Sequence, residues 1–229
     1  MKLTDFVIYN GKKYRVTDKL FGIYNRALRY GDGFFESVIS FYDNVPFWGY
    51  HYTRIKEAVS DYEMGYSDFL RSNYFLNELD RLRKSNKFFG KVYSRISFFR
   101  EGGGKYLPGD DVKVSYLIEQ KFLGQGGFEL NKEGLVIDVF TEYKKPVNKW
   151  SAYKKISAEL FVIASMEAAR RNFDDVLILN EKGNIIESTN SNVFCLSKSG
   201  VVYTPALSSG CVKGVMRSVV LELLRKKGF

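Results

Sequence analysis

Four features of this 229-residue chain combine residue types that can do chemistry. The first is Leu28-Arg29-Tyr30-Gly31-Asp32-Gly33-Phe34-Phe35-Glu36, a glycine turn that feeds a strand. The second, His51-Tyr52-Thr53-Arg54-Ile55, sets an arginine near the start of a helical pattern. The third, Tyr153-Lys154-Lys155-Ile156-Ser157, puts two amines where an apolar helix over 157–171 opens. The fourth joins Glu187-Ser188-Thr189-Asn190-Ser191-Asn192 to Ser208-Ser209-Gly210-Cys211-Val212-Lys213-Gly214-Val215-Met216-Arg217, small polar residues ahead of a last helix. Taken singly, each has an ordinary reading: a tight turn, a solvated arginine, exposed lysines, helix caps. His51 is the only histidine, so His-based metal sites and Ser-His-Asp catalysis would all pass through one residue, and both are set aside. Cys195 and Cys211 have neither disulfide nor zinc spacing.

The elements that must position these residues follow from periodicity. Strands are predicted at 3–9, 34–42, 91–100 and 112–119, with helical spacing at 48–61 and 67–85. Gly124-Gln125-Gly126-Gly127 reads as a flexible linker, so the division is an N-terminal lobe at 1–120, a linker at 121–128 and a C-terminal lobe at 129–229. The second lobe carries strands at 135–141, 176–179, 185–187, 192–196 and 201–203. Its 157–171 helix has Leu160, Ile163, Ala164 and Ala168 along one face, and a last helix at 214–227 is stopped by Gly228. The sum is an α+β chain in two lobes, with a cleft between them as the natural place for a ligand. Apolar residues at 45% and charged residues at 27% argue for a globular protein and against disorder. No apolar run approaches the roughly 18 residues that cross a bilayer, and the N-terminus lacks a signal core; the expectation is a cytoplasmic protein with no membrane partner. The net charge of +9 lies on unlike segments without a nucleic-acid motif, so it is read as attraction for small anions rather than for DNA or RNA.

The order and spacing of the segments resemble the class IV aminotransferases, the family of branched-chain and D-amino-acid aminotransferases and aminodeoxychorismate lyase. The family pattern R-x-L-x-Y-G-D-G-x-F-E, H-x-x-R-L, a lysine at a helix opening, D-x-x-L-L-L-N, T-E-x-x-x-S-N-x-F and T-P-x-L-x-x-G-x-x-x-G-x-x-R is matched in order. The matching residues are 26–36, 51–55, 154, 174–180, 186–194 and 204–217. The resemblance implies fold type IV (D-amino-acid aminotransferase-like) with pyridoxal 5'-phosphate (PLP) as cofactor. Lys154 is then the catalytic lysine that holds PLP as a Schiff base and moves the proton of Cα. Lys155 would point about 100° away on the helix, toward solvent. By the same resemblance Glu187 faces the pyridine nitrogen and Arg54 binds the phosphate. Ser157, Thr189, Asn190, Ser191, Asn192, Gly214, Val215 and Met216 complete the cofactor contacts, the last three at a helix start suited to an anion. Family members usually continue several dozen residues past the last helix, whereas this sequence stops at Phe229, so its C-terminal part is expected to be shortened.

For substrate, Tyr30, Phe35, Tyr93 and Arg95 match pocket positions of the branched-chain enzymes, and Arg95 and Arg100 are two candidate carboxylate clamps. Their opposite parity on one strand puts them on opposite faces. Phe35 and Gly102 stand where D-amino-acid enzymes carry tyrosine and histidine, which disfavours D-specificity. Met216 resembles the lyase branch. The reading is thus an L-amino acid:2-oxo acid aminotransferase of branched-chain type. The alternatives are a 4-amino-4-deoxychorismate lyase giving 4-aminobenzoate and pyruvate, or a noncatalytic relative that holds PLP weakly. The resemblance also implies a homodimer, for which 16% aromatic residues offer apolar surface.

Overall fold

The structure is a computed structural model that describes residues 5–65, 70–71 and 73–228. It separates into two compact units, Met1–Phe128 with Lys155–Ser157, and Glu129–Lys154 with Ala158–Phe229.

In the first unit, β1 (Phe6–Tyr9), β2 (Lys12–Arg15), β3 (Gly33–Phe41), β4 (Lys91–Glu101) and β5 (Lys113–Gly124) form one sheet in the order β2-β1-β5-β4-β3. All its pairings are antiparallel. Alternation sorts its two faces. Phe34, Glu36, Val38 and Ser40 are buried on one face opposite Phe98, Ile96, Ser94 and Val92, while Phe35, Ser37, Ile39, Tyr93 and Arg95 lie half-buried on the other. The short helix α1 (Arg26–Tyr30) precedes β3, and α2 (Trp48–Asp61) and α3 (Tyr74–Ser85) follow it. On α2 the residues His51, Arg54, Ile55, Ala58 and Val59 are buried, the i, i+3, i+4, i+7, i+8 stripe of a helix packed on one side. Phe75 of α3 seats edge-on against Phe98 and Tyr116, with ring centroids 5.3 and 5.1 Å apart.

The predicted helix at 48–61 is found as such, whereas of the helix expected at 67–85 residues 67–69 and 72 lie outside the described residues, Leu70, Arg71 and Asn73 are not α-helical, and α3 covers the rest. Residues 121–124, expected in a linker at 121–128, are the end of β5. The ladder with β4 continues through Lys121, Phe122 and Gly124 opposite Tyr93, Val92 and Lys91.

The second unit is built on β6 (Ile137–Lys145), α4 (Glu159–Arg170) and β7 (Asp175–Asn180). β6 and β7 are parallel, so the chain must cross over between them, and α4 supplies the crossover. β8 (Ile185–Ser188) pairs antiparallel with β7. Phe140, Leu160, Ala164, Ala168, Val176, Ile178, Ile186 and Cys211 form its core. Ile163, expected on the buried face of α4, is exposed because it falls on the flank of the Leu160–Ala164–Ala168 stripe. The strand expected at 192–196 shrinks to β9 (Cys195–Leu196), paired with β10 (Val202–Tyr203), since Asn192 bridges to Glu187 instead. The last helix, α5 (Val215–Lys226), ends ahead of Gly228 at φ 82°. Among the described residues no helix is long and apolar enough to cross a membrane.

Candidate active site

Lys154 lies in the crossover from the carboxyl end of β6 to α4, the end of parallel strands where ligands of open α/β sheets bind. It does not open a helix. Residues 154–157 are outside any helix, because Lys155 bridges to Phe34 and the Ile156 N–H donates to the Gly33 carbonyl at 3.1 Å, so α4 begins only at Glu159. Lys155 is therefore half-buried against β3 rather than rotated into solvent. The glycine turn ahead of β3 makes room for this segment. Gly31 sits at φ 62°, and a Cβ there would come within 2.7 Å of the Ser157 Cβ. A Cβ on Gly33 would collide with the Phe98 carbonyl and lie 2.7 Å from Ile156.

Glu187, 3% exposed on β8, is held from two sides. The Lys145 ammonium reaches its Oε1 at 2.6 Å, and the Val212 N–H donates to its Oε2 at 2.7 Å. Lys145 also donates to the Ser151 carbonyl at 3.0 Å, in the 3₁₀ turn Lys149–Ala152 that leads to Lys154. On the far side of Val212, Asn192 donates to the Val212 carbonyl at 2.9 Å, and its own carboxamide oxygen occupies the place a Cβ on Gly214 would need. Gly214 caps α5 without a side-chain hydrogen bond, so this helix start presents backbone N–H groups and the positive end of its dipole to an anion. Met216 is exposed there. The remaining polar run turns elsewhere. The Thr189 hydroxyl donates to Asp175 at 2.6 Å, and Ser191 donates to Asn190 at 2.8 Å in an exposed turn. Burial alone would raise the Asp175 carboxyl, but the hydrogen bonds it accepts, first from Thr189, hold it below the usual carboxylate range.

In the first unit Arg54 is gripped by a partner absent from the sequence reading. Its Nε donates to Glu36 Oε2 at 2.9 Å and its Nη2 to Oε1, a two-point fork, while His51 Nδ1 lies 2.5 Å from the same Oε1. Glu36, His51 and Arg54 are all buried. Burial would raise the Glu36 carboxyl, but the Arg54 charge and the His51 and Arg54 hydrogen bonds outweigh it and hold it below its ordinary value. Glu36 is on the buried face of β3 by parity, and His51 and Arg54 are one helical turn apart on α2, so one carboxylate meets both. The signal for it was in the sequence: the Glu of the first feature and the His and Arg of the second share a buried face.

The two candidate clamps separate. Arg100 is committed, with Nη1 on Asp32 and Nη2 on the Tyr62 carbonyl, and Asp32 is shared with Arg26 at 2.8 Å. Arg95 lies on the opposite face, its guanidinium 3.5 Å from the centre of the Phe35 ring and its Nε 3.2 Å from Ser97. Among the described residues Arg95 makes no ion pair. Tyr93 shares that face and meets Ser37 at 3.3 Å, whereas Tyr30 packs against Tyr106 at 5.6 Å and under Arg26. Lys145, like Glu36, went unnoticed in the sequence. It was one lysine in the basic run 144–155.

The family model described as Amino-transferase class IV matches residues 33–229. A putative branched-chain-amino-acid aminotransferase of Methanocaldococcus jannaschii is 26% identical over 97% of this chain and 75% of its own length. An aminodeoxychorismate lyase of Bacillus subtilis is 24% identical over 94% of this chain and 72% of its own. Among solved structures, the branched-chain aminotransferase of Escherichia coli superposes with a TM-score of 0.84 at 20% identity, covering 99% of this chain and 75% of that one. The PLP form of the Thermobaculum terrenum enzyme gives 0.80 at 18% identity, covering 98% and 74%. The fold is therefore fold type IV, as expected, and this chain corresponds to about three quarters of those proteins.

Proposed function

The chain belongs to the class IV family of PLP-dependent aminotransferases and lyases, and within it we propose an aminotransferase that moves an amino group between an L-amino acid and a 2-oxo acid, of branched-chain type. The residues present fit the cofactor. The helix start at Gly214, Val215 and Met216, with the close approach at Asn192, would receive its phosphate. Arg54, whose fork on Glu36 fixes the guanidinium plane, is a proposed phosphate contact by resemblance alone. Glu187 would meet the ring nitrogen. PLP supplies a carbonyl that takes up the substrate amine and a ring that accepts the electrons of the Cα–H bond. Lys154 Nζ is then the group that carries the cofactor and moves the proton from Cα. Ser157, Thr189, Asn190 and Ser191 remain proposed contacts by resemblance alone.

The observation that carries a carboxylate substrate is Arg95. A guanidinium without an ion pair, beside Phe35 and Tyr93 on one sheet face, supplies a carboxylate-binding fork next to an aromatic wall. Arg100 already bonds Asp32 and the Tyr62 carbonyl, which supports Arg95 over it for that role. The lyase reading is favoured by one observation, the exposed Met216 at the helix start, where no hydroxyl is offered. We assign the active form to a cytoplasmic homodimer, in which a second copy would cover Leu28, Tyr106 and Leu107, at 77%, 88% and 83% exposure.

With PLP added, the chain should show a visible absorbance band that shifts on borohydride treatment and is missing in Lys154→Ala. Glutamate should form from 2-oxoglutarate and an L-branched-chain amino acid. Pyruvate and 4-aminobenzoate from aminodeoxychorismate would instead identify the lyase, and a chain that stays colourless at saturating PLP would defeat both. A monomer by light scattering at micromolar concentration would remove the dimer.

A further inference from the structure

We propose that Lys145 is a positioning residue for this chemistry, fixing Glu187 and the turn that delivers Lys154 in a single arrangement and setting how strongly Glu187 attracts a protonated ring nitrogen. The second half of this statement rests on the cofactor reading above; the first half does not.

Hydrogen bonds and backbone form a closed circuit. From Lys145 it runs to Glu187 Oε1 at 2.6 Å, through the carboxylate to the Val212 N–H at 2.7 Å, and along the chain to Lys213, whose N–H donates to the Ala152 carbonyl at 2.9 Å. Ala152 follows Ser151, whose carbonyl accepts from Lys145 at 3.0 Å, and the circuit is complete. Lys145 is itself anchored. Its backbone pairs with Asn180 of β7, its carbonyl accepts from the Glu181 N–H at 3.1 Å, and the Phe161 ring lies 5.6 Å from its ammonium. The Ser151 turn is closed internally by the Ser151 hydroxyl on the Pro146 carbonyl at 2.7 Å. A side chain 7% exposed thus joins a carboxylate on β8 to the turn three residues before Lys154. A buried ammonium with these acceptors cannot leave without stranding a carboxylate that is itself 3% exposed.

Charge adds a second consequence. A lone buried carboxylate attracts a protonated nitrogen strongly, whereas one already paired at 2.6 Å presents a nearly neutral pair and attracts it less. The groups around Glu187 are Lys145 from β6, the Val212 N–H and the Cys211 thiol, which burial holds above its ordinary pKa while Arg217 pulls the other way.

The test uses the full chain and Lys145→Met, Lys145→Arg, Glu187→Gln and the Lys145→Met/Glu187→Gln double variant. In cofactor-free protein, urea unfolding should show Lys145→Met losing a hundredfold or more of the folding equilibrium constant, about the cost of stranding one partner of a buried pair. Lys145→Arg should recover most of that loss, and the double variant should lose less than Lys145→Met alone. In protein loaded with PLP, the absorbance titration should move to higher pH by about one unit in Lys145→Met and stay near wild type in Lys145→Arg. Additive losses in the cycle overturn the proposal whatever the cofactor does. Coupled losses with an unmoved titration overturn its electrostatic half. A wild-type chain that takes up no PLP defeats the proposed function and that same half, while the cofactor-free cycle still decides the positioning role.

Discussion

Each unit buries one glutamate against a cation, and the two clusters have opposite polarity of purpose. In the first, Glu36 is on a sheet face packed by helix α2, and both its oxygens serve to orient Arg54, with His51 sharing one of them. In the second, Lys145 and a backbone N–H serve to hold Glu187. The carboxylate is scaffold in one place and, in the function proposed, the functional group in the other. Residue type does not distinguish them; what does is the donor set, a guanidinium fork on Glu36 and an ammonium with a backbone N–H on Glu187. An arginine forked by a carboxylate still presents a fixed plane, and a carboxylate pinned by a lysine still presents a fixed charge.

The sharpest way to break the comparison is Glu36→Leu. With Arg54 and His51 both deprived of their acceptor, unfolding in urea should show a loss of roughly 3–5 kcal/mol. Adding Arg54→Met should return a good part of it, because an apolar replacement of the whole pair leaves no stranded charge. Arg54→Lys tests function more than fold. It keeps the charge, loses the fork, and should weaken PLP binding about tenfold in a fluorescence titration, or about 1.4 kcal/mol, with a smaller change in urea midpoint. Arg100→Ala and Arg95→Ala extend the contrast to the two faces of β4. The former leaves Asp32 to Arg26 alone and takes a donor from the Tyr62 carbonyl, and should cost about 1–3 kcal/mol of stability. The latter should leave stability within about 0.5 kcal/mol and instead raise KM for the carboxylate substrate. Equal effects of both on melting would remove the distinction between scaffold and clamp.

The smallest effect at neutral pH, and the most specific, is the acid limb. The Glu36 carboxyl is lowered in the folded state from an ordinary value of 4.5, so its contribution is full above that value and is lost as pH falls below it through the folded one. Because the Arg54 charge outranks the His51 hydrogen bond in lowering it, Arg54→Met should move acid unfolding to higher pH further than His51→Asn does. The reverse order, read by circular dichroism from pH 6 to pH 2, would show that His51 is the main support.

Much of this was legible in the sequence. Periodicity located β3, β4, β7, β8 and the helix α2, but on that helix Arg54 reads as a solvated residue, and it is the structure that buries it on Glu36. Opposite parity separated Arg95 from Arg100, but only the contacts with Asp32 and Tyr62 show which of them is engaged. Two features escaped for physical reasons. Lys154 and its neighbours precede an apolar helical pattern, and local propensity extends that helix too far; a backbone bridge from Lys155 to Phe34, distant in sequence, keeps these residues out of it. Lys145 escaped because parity misleads there. Counting by twos from buried Phe140 would turn Lys144 inward, but the β6–β7 register shifts between Phe140 and Lys145, and the odd residue is the one that is buried.

The grouping of Lys155–Ser157 with the first unit has a consequence for how the protein is made. β3 is the outer strand of its sheet, and Lys155 and Ile156 are the residues that pair beside Phe34 and Gly33. During synthesis the last contiguous residue of that unit, Phe128, is translated roughly thirty residues before the segment that covers this edge. At typical elongation rates the nascent sheet waits on the order of a few seconds with that corner of its border unguarded. A gene fragment cut after Phe128 would leave it so permanently, an invitation to strand-to-strand association between copies. The lysine proposed to do the chemistry thus arrives on the ribosome with the peptide that seals the earlier sheet.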